Sequence, residues 1–95
     1  MNTDRRSSFL AVTADRLADL YGRAFAGKPG GRYRIAGRLV RQLAERRRLY
    51  EDDVRELTRM MLERGYVLID MDSFFVVMSA STFTNYRRAN EDCIE

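Results

Sequence analysis

The hydrophobic period of this 95-residue chain changes at Gly65. Before it, apolar residues recur mainly every three to four positions, as on one face of a helix. After it they recur in twos, as on the two faces of a strand. A chain that reads helical first and ends in paired strands must bury one kind of element against the other, which predicts an α+β domain. Ninety-five residues suffice for one core and leave no room for a second.

Residues 8–26 place Leu10, Ala14, Leu17, Tyr21 and Ala24 at helical spacing, joined by Leu20 and Phe25. They predict a first helix, with Ser7 or Ser8 as N-cap and Gly27 after its last turn. Residues 1–7 are polar and are expected to be a flexible N-terminus. GKPGG at 27–31 reads as a loop, and Arg32–Ile35 alternates as a very short edge strand would. A second helix is expected over 36–47, with Ala36, Leu39, Val40, Leu43 and Ala44 inward. A third starts near Glu51, turns Val54, Leu57, Met61 and Leu62 inward, and stops at the Glu63-Arg64-Gly65 ending. Residues 66–71 and 74–80 predict a hairpin joined at Asp72-Ser73. The domain proper is thus expected over 8–83, followed by a short helical or mobile tail over 84–95, with Thr84 as cap and Tyr86, Ala89 and Cys93 on one side.

Charge is unevenly placed. Residues 1–48 hold twelve Lys/Arg against four Asp/Glu, and 49–95 hold five against ten, which together make the net charge of +3. Sixteen of the seventeen basic residues are arginine, which points towards a GC-rich bacterial genome. Lys28, Arg32, Arg34, Arg38, Arg41, Arg46, Arg47 and Arg48 give the 28–48 segment eight cations against one acid, Glu45. Such a concentration is a footprint for phosphates, or a solvated helix face. Tyr33 and Tyr50 flank it and are placed to stack or hydrogen-bond.

The stretch RQLAERRRLYEDDVRELTRMMLERGY (41–66) resembles the winged helix-turn-helix of bacterial transcription regulators. Leu43, Ala44, Leu49, Val54, Leu57, Leu62 and Gly65 fall on the apolar and glycine positions of that pattern. The resemblance implies a winged-helix-like fold of three helices, a short strand between the first two, and a C-terminal hairpin as wing. It implies a DNA-binding protein active in transcription regulation, and the two apolar faces of the second hairpin strand add the expectation of a homodimer. Arg47 and Arg48 stand where the family has an apolar residue and a turn glycine. The start of the third helix, where base-reading side chains sit, holds Glu51, Asp52 and Asp53. Carboxylates at that tip oppose approach through rows of phosphates.

Two functions therefore stay open. In the first, the protein binds nucleic acid through Arg32, Arg34, Arg38, Arg41 and Arg48, with Arg55 and Arg59 in or near the groove. In the second, the same fold is a protein-interaction or homodimer module that does not bind DNA. Its surface would be the acidic third helix and the apolar cluster Phe74, Phe75, Val76 and Val77, whose two apolar faces suggest a cover on each.

Catalysis finds few tools. The chain has no histidine, and its single cysteine, Cys93, lies in the tail without a base partner. Gly22–Lys28 fits the first part of a P-loop pattern, but Pro29 follows in place of Ser/Thr. Asp70 and Asp72 read as turn residues, and Glu51–Asp53 lack the spacing of a calcium loop. Met60, Met61, Met71 and Met78 are expected to fill the core. No enzyme, cofactor or metal is expected. Neither a membrane-spanning run nor a signal-peptide pattern is present, which places the expected site of action in the cytoplasm.

Overall fold

The computed structural model describes the backbone of residues 2–94 and the side chains of 8–94. Helix α1 (Asn2–Tyr21) is followed by strand β1 (Tyr33–Ala36), helices α2 (Gly37–Leu43) and α3 (Glu51–Glu63), and strands β2 (Tyr66–Asp70) and β3 (Phe74–Ser79). The strands form one antiparallel sheet in the order β1-β3-β2. The expected α+β class and the expected order of elements are both present. No helix among the described residues is long and apolar enough to cross a membrane.

Leu10, Ala14 and Leu17 on α1, Val40 on α2, and Leu57, Met60 and Met61 on α3 form one core with Ile35, Leu68, Phe75 and Val77 of the sheet. Register explains the sheet's share. Ile35 pairs with Phe75, and Val77 sits opposite both Tyr33 and Leu68, so these side chains point to the same face. Val67, Ile69, Phe74, Val76 and Met78 fall on the other face and stay half-buried.

Several boundaries differ from the expected ones. Helix α1 starts at Asn2 instead of 8, so Ser7 and Ser8 lie inside it rather than capping it, and the backbone of 2–7 is helical. It also stops at Tyr21, because the Gly31 N–H reaches the Tyr21 carbonyl at 2.9 Å and closes residues 22–30 into a surface loop.

Helix α2 ends at Leu43, four residues early. The Glu45 N–H donates to the Gln42 carbonyl at 3.1 Å and the Arg46 N–H to the Arg41 carbonyl at 3.0 Å. With Glu45 at φ 55° this is a Schellman ending, so the left-handed turn position falls on Glu45 and not on Arg48. From α1, the Arg16 guanidinium donates to the Leu43 carbonyl and pairs with Glu45 at 3.5 Å.

Helix α3 keeps its expected span, with Gly65 at φ 89° just beyond its end. Leu62, however, is 57 % exposed, while Met60 and Met61 are buried. Five residues beyond Leu57, Leu62 lies nearly opposite it around the helix. The other two methionines also leave the expected core: Met71 is exposed in the hairpin turn and Met78 is half-buried on the outer sheet face. In the tail, two short 3-10 turns (Ala80–Asn85 and Glu91–Cys93) stand in place of the expected helix.

Candidate anion-binding surface

Strand β1 runs directly into α2, and both are tied to the hairpin. The Gly37 N–H donates to the Ser73 carbonyl at 3.0 Å, which joins the start of α2 to the β2–β3 turn. This β1–α2 unit carries Arg34, Arg38 and Arg41, with Arg32 just before β1, and all four are exposed. Arg38 and Arg41 lie one turn apart on α2. Arg34 leans over the Phe74 ring on the outer sheet face, 5.9 Å from its centroid. Arg47 and Arg48 are exposed in the link between α2 and α3, whereas Arg46 covers the Phe9 ring at 4.2 Å. None of Arg32, Arg34, Arg38, Arg41, Arg47 and Arg48 makes an ion pair with a carboxylate among the described residues.

The arginines of α3 are placed differently. Arg55 pairs with Glu51 at 3.4 Å and with Asp52 at 3.7 Å. Arg59 is gripped by Glu56 and pairs with Glu63 at 3.0 Å. The hydrogen bond that Arg59 donates to Glu56, then the charges of Glu56 and Glu63, push the Arg59 guanidinium pKa up and keep it charged. Glu51, Asp52, Glu56 and Glu63 thus outnumber the two guanidiniums they hold. The hairpin turn adds exposed Asp70 and Asp72, and the Asp70 carboxylate accepts from the Asp72 N–H at 2.9 Å.

Asp53 belongs to the fold and not to the acidic tip. It is 8 % exposed, and its carboxylate accepts the Tyr50 N–H at 2.9 Å. That bond satisfies a backbone donor at the helix start, as the third residue of a capping box does.

The expected apolar partner surface divides in two. Phe75 and Val77 are buried in the chain's own core, because they alternate with Phe74 and Val76 along β3. Only Phe74 and Val76 remain for a partner, beside Val67, Ile69 and Met78. Of the flanking tyrosines, Tyr50 is exposed, but the Tyr33 hydroxyl donates to the Leu17 carbonyl at 2.6 Å. Burial, with a smaller push from Tyr66, raises the Tyr33 phenol pKa well above its usual value.

Comparison with family models, with curated proteins and with solved structures found no match. Among the described residues, no group of His, Cys, Asp and Glu is placed to hold a metal ion.

Proposed function

We propose that this chain is a winged-helix domain that binds nucleic acid without catalysis, by contacts to phosphates along β1 and α2. One observation carries the reading: exposed arginines of β1–α2 lack carboxylate partners among the described residues, while both α3 arginines are held by acids of their own helix. Phosphate contacts need unpaired cations and carry no sequence information themselves. In this reading α3, whose start carries the base-reading side chains in winged-helix regulators, and the acidic hairpin turn do not supply the phosphate contacts. Binding is therefore weakly dependent on sequence.

The test is a titration of duplex DNA at several salt concentrations. Binding should weaken steeply as salt rises, and Arg38→Ala combined with Arg41→Ala should lower the slope of log K against log salt by about 2. Absence of binding to any duplex at low salt refutes the reading.

A second reading is favoured by the half-buried outer sheet face of Val67, Ile69, Phe74, Val76 and Met78. On that reading the face is a homodimer or protein-partner contact. Ile69→Lys should then give a folded monomer where the native chain is a dimer. A native chain that sediments as a monomer at high concentration removes the homodimer.

A further inference from the structure

The loop between α1 and β1 holds a small, exact reversal. The Phe25 and Lys28 N–H groups each donate to the other's carbonyl at 3.0 Å. Between them, Ala26 and Gly27 have φ of 52° and 79°. Two successive left-handed residues bracketed by a reciprocal pair make a type I′ turn. Residues directly opposite in an antiparallel pair project to the same face, so the Phe25 and Lys28 side chains leave the turn side by side. Phe25 is 41 % exposed, and its ring packs with that of Tyr33 in a T-shaped contact at 5.5 Å. Tyr33 is itself fixed by its bond to Leu17, so the aromatic platform is braced from below.

A cleft of about 520 Å³ is lined by this turn and by Arg32, Arg34 and Val76. No carboxylate lines it. A fourth cation on its wall, Arg23, is engaged by Asp19 at 2.6 Å. Lys28 and Arg32 have no ion-pair partner among the described residues.

We propose that this cleft binds a nucleotide, with Lys28, Arg32 and Arg34 on its phosphate and the Phe25 ring stacked on its base. Cations without competing carboxylates suit the anion. A partly exposed aromatic ring beside them suits a base, since stacking on an aromatic tolerates any base. The ligand is a nucleoside phosphate, either free or as an exposed nucleotide of a single strand. The inference deepens the nucleic-acid reading, with which it shares Arg32 and Arg34. Phe25 and Lys28 lie outside β1 and α2, which allows the two to fail separately.

The chain has no tryptophan, so Phe25→Trp places a single fluorescent reporter in the cleft. Its emission should be quenched saturably at low salt by adenosine monophosphate and by a single strand of about ten nucleotides. A free nucleotide is the ligand if the strand adds nothing to the affinity of the monophosphate. A strand is the ligand if it binds many times more tightly. Lys28→Ala should weaken either by about tenfold, as expected for loss of a charged contact. In the native chain, followed by calorimetry, Phe25→Ala should cost roughly tenfold while leaving inorganic phosphate binding unchanged. The proposal is overturned if quenching survives Lys28→Ala with Arg32→Ala, or if inorganic phosphate binds as well as the nucleotide. Arg38→Ala with Arg41→Ala separates the two readings: it should weaken duplex binding and spare the nucleotide. Duplex binding without nucleotide binding removes the cleft alone.

Discussion

Glu45 occupies a backbone position that suits glycine. Its φ of 55° closes α2, and among the described residues its side chain makes only an exposed pair with Arg16. A left-handed backbone costs a residue with a β-carbon roughly 1–2 kcal/mol, and glycine's greater unfolded-state freedom offsets about half of that. The exposed pair adds little. Glu45→Gly should therefore raise stability by about 0.5–1 kcal/mol in denaturant unfolding. Asp53 is the opposite case, an acid whose place is structural. Asp53→Ala removes the acceptor of the Tyr50 N–H and should cost about 1 kcal/mol or more by the same measurement. Tyr33 gives a pH dependence with a defined sign. Its folded pKa is raised above the unfolded value of about 10, so its contribution is complete below that pH. Above it the unfolded phenol ionises first, and stability falls as pH rises. Alkaline unfolding followed by circular dichroism should be shallower in Tyr33→Phe than in the native chain.

In β3 a one-residue step decides between core and surface. Phe75 is 6 % exposed within the core, and Phe74 next to it faces the other side. Phe75→Ala should cost about 3–5 kcal/mol, the range for a buried phenylalanine, whereas Phe74→Ala should cost clearly less. Thermal or chemical unfolding of the pair measures the difference. The alternation itself was legible in Phe74–Val77. Which phase of it met the helices was not, because that depends on the register with β1 and β2. The helices show the same division. Hydrophobic spacing placed Leu10, Ala14 and Leu17 correctly on α1, and the glycine after Arg64 marked the end of α3. The end of α2 was missed because a Schellman turn with glutamate at its left-handed position carries no glycine to mark it. The α1 terminus was missed because a backbone bond from Gly31, ten residues on, sets it.

Over the whole molecule, the two halves of the charge distribution fold into surfaces of different character. The β1–α2 surface offers cations without carboxylate partners among the described residues, and α3 offers pairs in which acids outnumber bases. If about four phosphates are neutralised, duplex affinity should fall roughly a hundredfold between 50 and 200 mM salt. Arg55→Ala with Arg59→Ala should leave that slope unchanged, because these side chains are already held by Glu51, Asp52, Glu56 and Glu63. Fluorescence anisotropy with a labelled duplex measures both, and a slope lowered by the α3 pair would place the groove contact back on α3.

The α+β class, the order of elements and the basic 28–48 segment follow from periodicity, breakers and charge, which are local properties of the chain. The candidate cleft does not. Phe25 looked like the last apolar residue of a helix and Lys28 like part of a loop, and their adjacency depends on two left-handed residues between them. Val76 joins Arg34 on that wall because β1 pairs with β3 across a long stretch of chain. Likewise, composition counted Arg55 and Arg59 with the other cations, and the turn of the helix brought four carboxylates onto them. Charge is written residue by residue. Whether a charge is available to a ligand depends on what folding sets beside it.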